Sequence, residues 1–248
     1  MILTIARKEL RSLFGTPSTW LILGMLQFIF ALFFLARLDA FIQLQPQLAQ
    51  LINAPGATSA VAAPLFSSAA LIMMMLIPVF TMRLIAEERR NQTMTLLMSS
   101  PVSNWEIVLG KFTGLMLFLV PVTLSCVLIV LTLAAGTQLD IGLILANALG
   151  LMLLCASYAA LGMYVSALTS QPAIAAIGAL AISFGLMLVD VSTEEHDASW
   201  RALAPTHHFQ SFNIGLLNSG DMVFFLLFCG FFLVLTIRQL HNNRMYGQ

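Results

Sequence analysis

Long apolar runs separated by short polar ones form the pattern of this chain. Six stretches carry no Asp, Glu, Lys, Arg or His: Thr19–Leu35, Leu65–Met82, Phe112–Ala134, Ile141–Leu168, Ala173–Val189 and Met222–Ile237. Uninterrupted apolar runs of this length predict membrane-spanning helices rather than core helices. At roughly 1.5 Å per residue most of them reach the ~30 Å of a hydrocarbon core, and the fourth exceeds it by tilting. The first and last are the shortest and need flanking residues to span. The turns at Gly136–Asp140 and Thr169–Pro172 are short, so spans three, four and five should pack as antiparallel neighbours. The pattern predicts an all-α membrane protein of six transmembrane helices in a single domain over residues 1–248. The long interval Ala36–Pro64, with Gln43, Gln45, Gln47 and Gln50 followed by Pro55 and Gly56, reads as an outer helix and loop peculiar to this protein.

The first turns have another period. In residues 1–17, Ile2, Ile5, Leu10, Leu13 and Phe14 fall largely on one helical face, with Arg7, Lys8 and Arg11 towards the other. That spacing predicts an amphipathic helix in the plane of the membrane interface, ending at Gly15 and Pro17. The span that follows has a basic lead like a signal peptide, but it is long and lacks a small-x-small cleavage site, so it reads as an uncleaved anchor.

Composition supports the same class. The 248 residues are 59% hydrophobic and 9% charged, against roughly 25% charged in soluble domains. Zero net charge argues against a nucleic-acid surface. Cys126, Cys155 and Cys229 lie inside apolar runs, too far apart for a metal motif, and read as small buried hydrophobes. With the N-terminus in the cytoplasm, nine basic residues face that side: Arg7, Lys8, Arg11, Arg83, Arg89, Arg90, Lys111, Arg238 and Arg244. Arg37 and Arg201 face the other, together with Asp39, Asp140, Asp190, Glu194, Glu195, Asp197 and Asp221. The positive-inside rule therefore puts both termini in the cytoplasm.

Seven of the 22 charged residues are gathered between Arg83 and Lys111. Glu87, Glu88, Arg89 and Arg90 lead into Met94, Leu97 and Met98 at helical spacing. Ser99, Ser100 and Pro101 stop that helix, and Ser103 or Asn104 caps a second short one, with Glu106 in its first turn, before span three. A solvated charge run needs no apolar residues beside it. An amphipathic helix outside the bilayer needs a cover, from the bundle, the interface or a partner.

Several function classes lack their residues. There is no P-loop: the chain has two lysines, and Gly110-Lys111 is followed by Phe112. ATP cannot bind by that route. The span interiors hold none of the ionisable residues that proton- or ion-coupled carriers use as relays. Gln27, Ser67, Ser68, Thr123, Ser125, Asn147, Ser157, Tyr158, Tyr164 and Ser183 read as helix–helix contacts. No G-x-S-x-G or H-E-x-x-H occurs, and adjacent His207 and His208 make a poor metal pair. No catalytic residue and no metal site is expected. Gly110-x-x-x-Gly114 reads as a close-packing site.

The segment PVFTMRLIAEERRNQTMTLLMSSPVSNWEIVLGKF resembles the link between spans two and three of ABC-2 type transporter permeases. It is most similar to the branch of gliding-motility-type and nitrous-oxide-maturation-type permeases. Pro78, Thr81, Met82, Arg83, Glu87, Glu88, Thr93, Leu97, Ser100, Pro101, Val102, Ser103, Trp105, Glu106, Gly110 and Lys111 match that pattern. Gln92 stands where the family usually has Gly, and Thr95 where it usually has Glu. RKELRSLFGTPSTWLIL is similar to the family's amphipathic helix and first span. LAPTHHFQSFNIGLLNSGDMVFFLLF is similar to its last outer segment and sixth span, matching at Pro205, His208, Phe209, Ser211, Phe212 and Gly215.

The resemblance implies a permease subunit in the bacterial inner membrane. It would pair with a second permease chain, identical or related, and with two copies of a separate cytoplasmic ATPase that binds ATP and Mg. This chain would bind no cofactor itself. Residues 83–111 would be the coupling element on the ATPase. There Arg83, Glu87, Glu88, Arg89, Arg90, Trp105 and Glu106 supply contacts, Met94, Leu97 and Met98 the apolar insert, and Pro101 the corner. Some of these charges would instead hold the N-terminal helix with its Arg7, Lys8, Glu9 and Arg11. The outer segment 190–221 would form short helices that re-enter the outer leaflet, with Gln210–Gly215 equally readable as an amphipathic helix on the membrane. Its acidic residues could meet a cation or an auxiliary protein. Two other roles fit the same residues: a subunit that transmits force to an outer-side partner without moving solute, and a non-transporting membrane scaffold. The uncharged spans favour lipidic or amphiphilic cargo. A wide hydrated cavity lined by Asn147, Tyr158 and Ser183 would argue against that.

Overall fold

The computed structural model describes residues 1–48, 56–92, 103–192 and 201–246, and among these no strand occurs. The helices are α1 (Ile2–Gly15), α2 (Pro17–Leu48), α3 (Ala63–Met82), α4 (Asn104–Leu131), α5 (Ile141–Leu168), α6 (Pro172–Ser192), α7 (Pro205–Asn213) and α8 (Ser219–Tyr246). Six helical stretches, those containing α2, α3, α4, α5, α6 and α8, are long and apolar enough to cross a membrane. The protein is a multi-pass, all-helical membrane protein.

All six apolar runs lie inside helices, and the helices outrun them. The first, expected to be among the shortest, lies in a long helix: α2 has 32 residues. It continues through Arg37 and Asp39 because that polar stretch is itself a good helix, with Gln43 Nε2 donating to Asp39 Oδ2 one turn earlier at 2.9 Å. The first part of Ala36–Pro64 is therefore helical and continuous with span one. Its last part is a π-helical turn, Thr58–Ala62, that runs directly into α3.

A second π turn, Arg83–Glu87, continues α3 into a last helical turn at Glu88–Arg90. A π turn breaks the usual backbone pairing and needs outside partners. Ser166 of α5 supplies them, its hydroxyl accepting from the Ala86 N–H at 3.0 Å and donating to the Met82 carbonyl at 3.1 Å. One turn earlier on α5, Gly162 lets α3 approach closely, since a Cβ there would lie 3.0 Å from Thr81 Cβ.

α4 begins with a capping box in which Ser103 is the cap and its own N–H donates to Glu106 Oε2 at 3.1 Å. Asn104, the other candidate cap, is the first helical residue. The short helix expected ahead of span three is no separate element: Asn104–Leu131 is one helix of 28 residues. Nothing between Asn104 and Lys111 breaks it, because Gly110 is used for packing.

α5 is the hub, in contact with α3, α4, α6, α7 and α8. Spans three, four and five pack as sequential neighbours, as the short turns require. The most apolar window of α5 is 50% buried, that of α2 17% and that of α6 22%. α2 and α6 are therefore peripheral and turn Trp20, Leu21, Met25 and Phe28, and Ile174, Ile177 and Phe184, outward. A hydrocarbon environment covers such faces without cost.

α7 starts with Pro205 in its first turn and ends at Asn213, two residues before Gly215, whose φ of +84° reverses the chain. The amphipathic segment Gln210–Gly215 thus contributes only the end of a helix that begins five residues earlier. Its Phe209 and Phe212 are buried. They pack onto Gly150 of α5, where a Cβ would come 2.5 Å from Phe212 Cβ. Asn213 Nδ2 donates to Ser67 Oγ at 2.8 Å, and Asn147 Nδ2 reaches the Asn213 carbonyl at 3.3 Å. α7 is seated in the end of the bundle.

Candidate functional site

α1 crosses the start of α4 with almost no side chain between the two backbones. A Cβ on Gly110 would lie 2.8 Å from Ile5 Cβ, and one on Gly114 would lie 2.9 Å from Glu9 Cβ and 3.0 Å from the Ala6 carbonyl oxygen. Small residues four apart on α4 thus make the groove in which α1 lies. Ala6 and Leu13 are buried there. Phe14 stacks edge-on against Phe118 at 5.2 Å, and Phe118 against Phe80 of α3 at 5.0 Å.

Lys111 lies between the two glycines in sequence and is 1% exposed. Its ammonium is 2.7 Å from Glu9 Oε1 on α1 and 2.8 Å from Glu88 Oε1 at the end of the α3 helix. Lys8 Nζ adds a longer contact to Glu88 at 3.6 Å. Two lysines and two glutamates balance in charge and join three segments. A buried lysine without carboxylates would be strongly unfavourable. Two carboxylates within hydrogen-bond distance supply the compensation.

The residues expected at the site divide. Glu9, assigned to the interfacial helix, points into the protein and is 9% exposed, whereas Arg7, Lys8 and Arg11 are exposed. Glu88 faces Lys111 and the N-terminal helix, which identifies one of the charges that hold α1. Arg83, Glu87 and Arg90 are exposed, Arg89 is half-buried, and Trp105 is 51% exposed beside half-buried Glu106. Met94, Leu97, Met98 and Pro101 lie outside the described residues. Gln92 has a φ of +58°, the left-handed region in which glycine is at ease. It is the position where the resemblance expected Gly.

Two cavities flank this end. One of about 290 Å³ separates α1 from the end of the α3 helix and is lined by Lys8, Ser12, Arg83, Glu87 and Asn91 beside the buried charges. The other, about 600 Å³, lies between Arg89, Arg90 and Gln92 and the turn at Ser170 and Gln171 with the start of α6. Neither involves Asn147, Tyr158 or Ser183, which are 0%, 1% and 0% exposed within the bundle. Among the described residues no group of His, Cys, Asp and Glu could hold a metal ion.

Sequence reasoning missed the Glu9–Lys111 pair, whose partners are 102 positions apart. The available signal was Gly110-Lys111-x-x-Gly114 itself, a charge inside a close-packing motif. At the opposite end, His208 and Asp221 form a pair 2.6 Å apart, and Arg201 and Asp190 another at 3.0 Å. Of the residues matched there, Pro205, Phe209 and Phe212 are buried in the α7 seat, Ser211 is half-buried and Gly215 makes the turn.

The family described as ABC-2 family transporter protein matches residues 3–237. No curated protein matches the chain.

Proposed function

Because the chain belongs to the ABC-2 family of transporter proteins, we propose that it is the permease subunit of an ABC transporter driven by a separate cytoplasmic ATPase. Such permeases are transmembrane components that work with an ATPase subunit, and this chain has no P-loop of its own. In this reading the α1 end faces the cytoplasm of a bacterial inner membrane, as the distribution of basic residues requires. Two permease chains meet two ATPases, which hold the ATP and Mg. The narrower place beside the gliding-motility-type and nitrous-oxide-maturation-type permeases rests on the residues of the 78–111 motif; the family match does not reach it.

The observation that carries the reading is the Lys111 cluster. Residues 83–111 are the proposed contact with the ATPase, and Lys111 and Glu88 join the two ends of that segment to each other and to α1. A push on the segment is then delivered to the base of α3, the base of α4 and α1 together. Arg83, Glu87, Arg90 and Trp105 are the solvent-facing residues for the ATPase contact. The packed interior around Asn147, Tyr158 and Ser183 keeps lipidic or amphiphilic cargo, or force transmission without cargo, ahead of a hydrated path through one chain.

The test is purification of the tagged chain from its native membrane in mild detergent. An ABC-type ATPase should accompany it in near-equal amount. Lys111→Met should leave that association in place but lower coupled ATPase activity by roughly tenfold or more, since opening a buried ion pair costs about 3–5 kcal/mol. Lys111→Arg should restore part of it. Absence of any stoichiometric ATPase would overturn the reading and favour a scaffold.

A further inference from the structure

The end of the bundle opposite α1 carries two buried carboxylates with different partners. Asp190, near the end of α6, is 6% exposed. It accepts from Arg201 Nε at 3.0 Å and from Gln210 Nε2 at 3.4 Å, with His207 Nδ1 at 3.6 Å. The guanidinium keeps its charge at any working pH, so this acid is balanced whatever His207 does. Asp221, in the first turn of α8, is 7% exposed, and among the described residues no lysine or arginine lies within 4.0 Å of it. Its nearest partner is His208 of α7, with Nδ1 2.6 Å from Oδ1, and the Ser211 hydroxyl of the same helix also faces it.

The other ring nitrogen of His208 is 2.9 Å from the Ala202 carbonyl oxygen. A carbonyl only accepts, so Nε2 carries a hydrogen and donates. With Nε2 protonated, a neutral ring has a bare lone pair at Nδ1. At 2.6 Å from a carboxylate oxygen, that arrangement needs a proton between the two atoms. Whether the proton is assigned to the ring or to the acid, the pair holds one more than neutral imidazole and free carboxylate would. The ring also lies stacked on Phe224 of α8 at 3.9 Å and 23°, a geometry that favours a cationic ring.

We propose that His208 and Asp221 form a proton-binding site that latches α7 onto α8, and so secures the Phe209–Phe212 plug against Gly150 of α5. Loss of the proton breaks one of the two ring hydrogen bonds. If Nδ1 is left bare, it faces the carboxylate; if Nε2 is left bare, it faces the carbonyl. The protonated form is the bonded one, so docking of α7 is favoured on the acid side and loosens as pH rises through the titration of the pair. Among the described residues His207, Asp190 and Arg201 are the other charged or titratable groups at this seat, and Asp190 is paired with Arg201. Which compartment supplies the proton rests on the orientation proposed above; the latch does not.

The experiment uses the full chain, purified as the complex it forms and placed in lipid nanodiscs. Amide hydrogen exchange of residues 205–213 is followed between about pH 5 and pH 9, the range an imidazole can sense, and corrected for the intrinsic pH dependence of exchange. Protection should fall by roughly tenfold across that range, the effect of losing one charge-assisted hydrogen bond. His208→Gln and Asp221→Asn should each give a flat profile at the low level, and His207→Gln should keep the wild-type response. Nitrogen-15 spectra of histidine-labelled wild type need no variant: one imidazole should deprotonate over the same pH interval in which protection is lost. A flat wild-type profile, or an unchanged pH response in His208→Gln, would overturn the proposal.

Discussion

Gln92 holds a left-handed conformation at the end of the α3 helix, with φ +58°. That geometry costs a residue with a Cβ roughly 1–2 kcal/mol that glycine does not lose. Gln92→Gly should therefore stabilise the protein by about 1 kcal/mol, read as a rise in the midpoint of thermal unfolding in detergent. A fall would mean that contacts of the Gln92 side chain outweigh the backbone strain. The residue was legible in the sequence only as a departure from a resembling motif. Nothing in its neighbours announced a left-handed turn, because Asn91-Gln92 lacks the glycine that usually marks one. Lys111 was less legible still. A lysine just ahead of an apolar run reads as a topological marker at the interface, and its burial follows from Glu9 and Glu88, which local pattern cannot bring to it.

At the scale of elements, hydropathy located the six spans and missed their ends. Apolar runs report the stretch that avoids water; helices stop where backbone groups find other partners. Ser103 with Glu106 supplies such partners at the start of α4, and Asp140, accepting from the Leu143 N–H at 3.1 Å, supplies them at the start of α5. Beyond Leu35 no comparable signal stops α2. The meeting of α1 with α4 was readable in part, since Gly110-x-x-x-Gly114 marked a close approach, but its partner was not named by any local feature. The groove is tight enough to test. Gly114→Leu would place atoms where Glu9 Cβ and Ala6 now lie, and should displace α1. Exchange protection of residues 2–15 should then fall by at least about tenfold, on the scale of a lost helix–helix packing site, while the spans remain inserted. Undisturbed α1 protection would show that another surface holds the helix.

For the whole molecule, the charged residues define an axis. Lys8, Arg11, Arg83 and Arg90 are exposed at the α1 end, whereas Asn218 and Ser219 are exposed at the α7 end. In the proposed orientation, a cysteine at Ser12 should react with a membrane-impermeant maleimide only after the membrane is opened, and one at Ser219 in intact cells. Cys126 and Cys155 are buried and should contribute little background, whereas Cys229, expected to be buried, is half-buried within the apolar stretch of α8 and is replaced by Ser for this test. The reverse labelling pattern would invert the molecule and with it the side on which an ATPase could bind. The family and helix count were accessible from sequence because both depend on patterns a few residues to thirty residues long. The Lys111 cluster was not, because Glu9 lies 102 positions from its lysine; the pairs at the α7 end are only 11 to 20 positions apart, but they cross the breaks between successive helices, where no single period reports a contact.

The Lys111 cluster also imposes an order of biosynthesis. Glu9 leaves the ribosome 102 residues before the lysine it contacts, and Glu88 also precedes it. During that interval α1 has neither its charge partner nor the glycine groove on α4, so its apolar face must wait on the lipid surface or a chaperone. Docking of α1 thus reports that the third span has been synthesised and inserted. A chain truncated or misinserted before that point would keep an undocked amphipathic N-terminus and a Glu9 without its lysine, a mark by which membrane proteases would recognise an unfinished molecule.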